Sequence, residues 1–330
     1  MSEAAPLPLV SAHAVEAAAS GLRGVTMETP LLPAHWLSER IGAETRLKCE
    51  NLQRAGAFKI RGAYTMLARL TDQERARGVI AYSSGNHAQG VALAARMFKV
   101  HCTVVMPTTA PEVKRAGAAA LGADIVQEGT TSVERQARAE ALAAEHGYVI
   151  VPAFDHPDII AGQGTVGLEI LDDWADVEAI LVPIGGGGLA AGIALWVKSR
   201  HPECMVVGVE PAHADAMARS LEAGEPVTIE PRGSIADGLM PVRPGDLTFA
   251  HARAYLDGVV RVTEEAIAEA AGELIRRSKL VVEFSGAATT AALLSGAWQP
   301  EGRRTAAVLS GGNMDPRRAL ELLGGTVSAA

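Results

Sequence analysis

Lys59 stands between Phe58 and Ile60 in AGAFKIRGAYT (Ala55 to Thr65), a stretch that is otherwise mostly small or apolar. A lysine flanked this way either carries its charge outward along a helix face or is held in a pocket for its amine. Usage favours the amine. The chain has 30 basic residues, of which only six are lysine: Lys48, Lys59, Lys99, Lys114, Lys198 and Lys279. Where arginine is the habitual cation, a lysine in an apolar setting points to what arginine cannot do: deprotonate and attack a carbonyl.

Three further segments place chemistry at strand ends. SSGNHAQG sets Ser83, Ser84, Gly85, Asn86 and His87 where a strand gives way to a helix. Backbone N–H groups at such a turn capture a carboxylate or phosphate, although Ser and Asn also cap helices in the ordinary way. GGGGLAAG (Gly185 to Gly192) leaves a run of backbone amides unobstructed at the positive end of a helix dipole, which suits a phosphate. Close strand–helix packing accounts for one or two of those glycines, not four. LSGGN (Leu309 to Asn313) brings Ser310 out of a strand just as two glycines open the backbone. By itself that reads as a turn. A pocketed amine, a phosphate cradle and polar strand ends together point to pyridoxal phosphate. That cofactor needs an amine to bond to, an anion site and a partner for its ring nitrogen.

A rival reading exists. Gly185, Gly187 and Ala190 fit the dinucleotide fingerprint, and Glu210 follows about 25 residues on, where a ribose-binding acid would stand. That makes an NAD-dependent dehydrogenase the alternative. Such a fingerprint normally opens the first strand–helix unit, however, and here several units precede it. A dehydrogenase also gives Lys59 no reason.

The elements that must position these residues alternate along the chain. Short β-branched runs recur: GVIAYS (78–83), HCTVVMP (101–107), ADIVQEG (123–129), YVIV (148–151), VEAILVPIG (177–185), MVVGVEP (205–211) and TAAVLSGG (305 onward). Alanine-rich helical stretches separate them. Continuous apolar strands divided by helix-length segments predict an α/β protein with mainly parallel sheets covered on both faces. Ligands then bind beyond the carboxyl ends of the strands. A length of 330 residues suits two such domains.

Composition excludes other classes. With net charge −8 and 4% aromatic residues, neither a nucleic-acid surface nor a single-strand stacking platform is expected. The N-terminus lacks the basic region of a signal peptide, and no uncharged apolar run reaches membrane-spanning length. Cys49, Cys102 and Cys204 are scattered, with no CxxC pair, so neither a disulfide framework nor a zinc site is expected. The expectation is a cytoplasmic protein acting on a small molecule, with no nucleic-acid or membrane partner.

Taken in order, AFKIRGAY, SSGNHAQG, GGGGLAAG, EFSGAA (from Glu283) and LSGGNMD resemble the motifs of the serine/threonine dehydratase group of fold-type II pyridoxal-phosphate enzymes. That group includes serine racemase and has the tryptophan synthase β-like fold. The resemblance covers nearly the whole chain. It implies two doubly wound domains with the cofactor in the cleft between them. The large domain would comprise 1–55 plus 153–330, the small one 56–152, and no C-terminal regulatory domain would follow. A homodimer or homotetramer is implied.

The resemblance also implies roles. Lys59 would hold the cofactor covalently and later take the α-proton. Phe58 would pack against the ring and Asn86 would hydrogen-bond its hydroxyl. Gly185, Gly186, Gly187, Gly188 and Leu189 would hold the phosphate, with Glu283 and Ser310 also at the cofactor. Ser83, Ser84, Gly85, Asn86 and His87 would receive the substrate carboxylate. A neutral Ser310 at the ring nitrogen, rather than an acid, favours rapid loss of a β-hydroxyl. The implied reaction is dehydration and deamination of L-threonine, L-serine or a related β-hydroxy amino acid to a 2-oxo acid and ammonia. Serine racemase and 3-hydroxyaspartate dehydratase are the alternatives within the group.

The chain departs from the family pattern in places. Ala57 stands where serine is usual, and Phe284 replaces a proline. Glu210 and Ala214 match part of a divalent-cation (Mg or Ca) site of some relatives, but Ala216 occupies the third position and Asp215 falls one place early. Ser84 is serine, as in racemase-like members. A hydroxyl there could deliver a proton to the face opposite Lys59, and it could equally be a plain cap.

Overall fold

The computed structural model describes residues 7–83, 85–110 and 112–324. Its strands are β1 (Leu31–Pro33), β2 (Thr45–Lys48), β3 (Val79–Tyr82), β4 (Cys102–Met106), β5 (Asp124–Gln127), β6 (Val149–Ile150), β7 (Ala179–Pro183), β8 (Met205–Pro211), β9 (Gly258–Val262) and β10 (Thr305–Val308). They form two sheets, ordered β1-β2-β10-β7-β8-β9 and β5-β4-β3-β6. Every pairing is parallel except that of β1 with β2. The seven apolar runs all became strands. Three short strands, β1, β2 and β9, were not among them.

Parallel strands need crossover helices, and those helices bury both faces of each sheet. Ile180, Val182, Val206, Ala306 and Val308 face one core, packed by the helices Pro157–Asp173 and Gly188–Arg200. Leu47, Leu181, Val207, Ala307 and Leu309 face the other, under the helix Phe284–Leu294. The four-stranded sheet has its own core around Ile60, Val79, Val91 and Val104. This is the doubly wound α/β arrangement that the strand pattern predicts. Among the described residues no helix is long and apolar enough to cross a membrane.

Two cations are built into the junction between the sheets. Lys48, at the end of β2, is fully buried. Its Nζ lies 2.7 Å from Glu169 Oε2 and donates to the Thr29 carbonyl at 2.6 Å. Arg61, on the helix Ile60–Arg69, donates from Nε and Nη2 to the two oxygens of Glu50 at 2.8 and 2.7 Å. Its Nη1 and Nη2 also reach Glu169 at 2.5 and 2.9 Å. Burial alone would raise the Glu50 carboxyl, but the Arg61 guanidinium outweighs it and holds the group below the usual carboxylate range. The network locks the helix that starts just after Lys59 to β2 and to the helix Pro157–Asp173.

Candidate active site

Four of the expected site residues stand at helix N-termini. Lys59 precedes the helix Ile60–Arg69, and Asn86 opens Asn86–Phe98. Gly187 precedes Gly188–Arg200, and Glu283 precedes Phe284–Leu294. Helix N-termini carry partial positive charge and unpaired N–H groups, so a place where such ends meet favours anions.

Contacts tie these ends together. A Cβ on Gly90 would come within 3.0 Å of the Lys59 Cβ, so glycine there lets the Asn86 helix lie against the lysine segment. Ala57 bridges Gly311 across the junction, and the Phe58 N–H donates to the Ser310 carbonyl at 3.2 Å. Asn86 Nδ2 donates to Glu283 Oε1 at 2.5 Å. Glycine at 311 permits that meeting, because a Cβ there would fall 2.4 Å from Glu283 Oε1 and 2.9 Å from Asn86 Nδ2. Lys59, Phe58, Asn86, Glu283 and Ser310 are thus joined through one set of contacts.

The Lys59 amine is enclosed although the residue as a whole stays partly accessible. It donates to the Ala153 carbonyl at 2.7 Å and lies 5.0 Å from the Phe58 ring centroid. Among the described residues it has no ion-pair partner. Burial without a counter-charge lowers its pKa to about 8. His87 is buried, its Nε2 2.8 Å from the Val151 carbonyl oxygen. Burial first, then the Lys59 charge, pushes its pKa down to about 3, so the ring is neutral. Its side chain is committed to the β6 end, which leaves only its backbone for a carboxylate. Glu283 is pushed up to about 7 by burial and then by Asp237, against the Asn86 hydrogen bond and the Lys114 charge. Ser83 Oγ accepts from the Gly85 N–H at 3.2 Å and shapes the turn. Ser84 lies outside the described residues.

The glycine run follows β7. Gly187 has φ +99°, a conformation that L side chains rarely adopt. A Cβ on Gly186 would sit 2.2 Å from the Phe154 ring, and one on Gly188 would sit 3.0 Å from the Phe154 backbone. Thr248 Oγ1 donates to the Gly186 carbonyl at 2.7 Å. The loop after β6 therefore serves the site three times: Ala153 accepts from Lys59, Phe154 backs the glycine run, and the Asp155 carboxylate accepts from the N–H groups of Asp246 and Thr248 at 3.1 and 3.0 Å. Neither this loop nor Asn313, which donates to Asn86 Oδ1 at 2.8 Å, was read from the sequence.

Glu210 is engaged by backbone amides. It ends β8 fully buried, and its two oxygens accept the N–H groups of Met217 and Ala218 at 2.9 and 2.8 Å. Burial pushes its pKa up to about 8, against those two donors. Asp215 is held between Arg219 and Arg261 at 2.8 and 2.9 Å. Among the described residues no group of three or more His, Cys, Asp or Glu could hold a metal. The same geometry removes the ribose-binding acid that the dehydrogenase alternative needs.

The donor set fits pyridoxal phosphate. It offers an amine of lowered pKa without a counter-ion among the described residues, side-chain-free backbone at a helix N-terminus, and a neutral serine just after β10. The family described as "Pyridoxal-phosphate dependent enzyme" matches residues 22–311. The chain belongs to this family, and the nicotinamide alternative falls with that assignment. The L-threonine ammonia-lyase of Thermotoga maritima is 43% identical over 93% of this chain and 76% of its own length. The L-threo-3-hydroxyaspartate ammonia-lyase of Saccharomyces cerevisiae is 39% identical over 93% of this chain and 94% of its own. Among solved structures, maize serine racemase superposes with TM-score 0.92 at 33% identity, covering 96% of this chain and 98% of that one.

Proposed function

We propose that the protein is a pyridoxal-phosphate-dependent ammonia-lyase that converts L-threonine, L-serine or a related β-hydroxy amino acid to a 2-oxo acid and ammonia. The observation that carries this reading is Lys59: an enclosed amine with no ion-pair partner among the described residues, at the N-terminus of its own helix and packed against the Asn86 helix. When bound, the cofactor would supply the electron sink that makes an α-proton acidic. Lys59 would hold it and move that proton at Nζ, since an amine with a pKa of about 8 is partly neutral at physiological pH. Gly185 to Leu189 would bind its phosphate. Ser310 would present a hydroxyl, not a carboxylate, to its ring nitrogen. The backbone from Ser83 to His87 would orient the substrate carboxylate, and Phe58 would pack against the ring.

We assign residues 56–152 to a small domain and 1–55 plus 153–330 to a large one, because β3 to β6 fall inside the first range and the other strands outside it. A homodimer or homotetramer in the cytoplasm completes the reading. The three cysteines are buried and unpaired, which suits a reducing compartment. The test is a panel of L-threonine, L-serine, 3-hydroxyaspartate and related β-hydroxy amino acids, assayed for ammonia and 2-oxo acid with chiral analysis of residual serine. Preferred turnover of threonine or serine supports the reading. Preferred turnover of hydroxyaspartate, or D-serine as the main product, moves the protein to an activity carried by its other relatives.

A further inference from the structure

Asn86 is expected to hydrogen-bond the cofactor's ring hydroxyl, and an amide can do so with either end. Its Nδ2 donates and its Oδ1 accepts, so the way the group is turned decides what it offers. The structure contains the part that decides. Asn313 Nδ2 lies 2.8 Å from the Ala55 carbonyl oxygen, which can only accept. That contact fixes the nitrogen end of Asn313 towards Ala55 and Asn86. The atom of Asn86 that meets it at 2.8 Å must then be the acceptor, Oδ1. Asn86 Nδ2 is left pointing the other way, at Glu283 Oε1. Turning the Asn86 amide over would set donor against donor at Asn313 and acceptor against carboxylate at Glu283.

The surroundings are shaped for Asn313. A Cβ on Gly56 would overlap its Oδ1 at 2.2 Å, and Gly56 also has φ +71°. The backbone is laced beside it, the Gly312 N–H donating to the Gly56 carbonyl at 2.8 Å. Glycine at 56 thus vacates the space that the asparagine fills.

We infer that Asn313 is a positioning residue that holds the Asn86 amide with its N–H end towards the cofactor ring and Glu283. Nδ2 carries two hydrogens and can serve Glu283 and a ring oxygen at once. The inference rests on the reading of Asn86 given above.

The experiment titrates pyridoxal 5'-phosphate into cofactor-stripped wild type, Asn86→Ala, Asn313→Ala and the double variant, recording the dissociation constant and the pH midpoint of the bound cofactor's visible band. Losing one oriented hydrogen bond should weaken cofactor binding about 3- to 10-fold in Asn313→Ala. The midpoint should move in the same direction as in Asn86→Ala. In the Asn86→Ala background the second substitution should change neither quantity, because the effect runs through Asn86. Asn313→Asp should be worse than Asn313→Ala, since a carboxylate only accepts and would turn Asn86 over. Should Asn313→Ala not fold, Asn313→Ser fits the same space and carries the same cycle. Wild-type constants in a folded Asn313 variant, or losses that add to those of Asn86→Ala, overturn the positioning role alone. Unchanged cofactor binding in Asn86→Ala overturns the reading of Asn86 and the relay with it.

Discussion

Two lysines lie eleven positions apart, at the end of β2 and the start of the next long helix, and the protein treats them in opposite ways. Lys48 is fully buried with Glu169 at 2.7 Å and a carbonyl at 2.6 Å, inside a network that also satisfies Arg61 and Glu50. Lys59 has a carbonyl and an aromatic face but, among the described residues, no carboxylate. Burial alone therefore does not make a reactive amine. A buried lysine given its anion stays a cation and a structural tie, whereas one denied an anion sheds its proton near neutrality. The network around Lys48 also anchors the helix that begins beside Lys59, so the structural cation helps hold the reactive one in place.

Five experiments bear on that contrast and on the site around it. Lys59→Ala should fold and lose at least about 10³-fold in turnover, since it removes both the cofactor attachment and the proton carrier. Borohydride reduction of the wild type followed by peptide mapping should place the cofactor on Lys59, and a label on Lys48 would refute the contrast. Lys48→Ala should cost about 1–3 kcal/mol of folding stability, because the Thr29 carbonyl and Glu169 lose a buried donor, although Arg61 still pairs Glu169. Denaturant unfolding measures this, and the folded variant should still carry cofactor on Lys59. A loss below about 1 kcal/mol would show that the network is not structural.

Gly186→Asp should weaken cofactor affinity more than about tenfold, by adding charge at an anion site and bulk against Phe154. Wild-type affinity in that variant would remove the glycine run from the site. The smallest effect is kinetic. In cofactor-free protein, acetylation of Lys59 should rise with pH and reach half its plateau near 8, because the neutral amine is the nucleophile and its pKa is lowered to about 8. A midpoint near the ordinary lysine value of 10.5 would mean that the enclosure does not desolvate the amine.

The sequence marked candidate site residues more readily than their supports, for physical reasons. Lys59, the glycine run and Ser310 stand in short local patterns whose chemistry is visible in the residue types. Of the strands missed, β2 is TRLK, half of it charged, and its burial depends on partners far along the chain, whereas β9 is GVVRV, a β-branched run that was legible and passed over. Asn313 stood at the end of LSGGN without a role of its own. Its partners Ala55 and Asn86 are 258 and 227 positions away, so only the fold shows what it touches. Glu210 shows the converse case. An acid near a strand end reads equally as a cation ligand, a ribose acceptor or a cap for its own next helix, and the fold adds that the amides of Met217 and Ala218 both donate to it.

The strand order has a consequence for biosynthesis. β10 lies between β2 and β7, so the six-stranded sheet is in two halves until a segment near the chain's end arrives. β3 to β6 are contiguous in sequence and pair only with one another. As the chain leaves the ribosome, the smaller sheet can therefore assemble first, while the larger waits for about 150 further residues, a long-range closure that slows folding. Ser310 arrives with that last strand. Protease challenge of stalled nascent chains should find 79–150 protected well before 31–48, and protection of both at once would show that the two sheets form together.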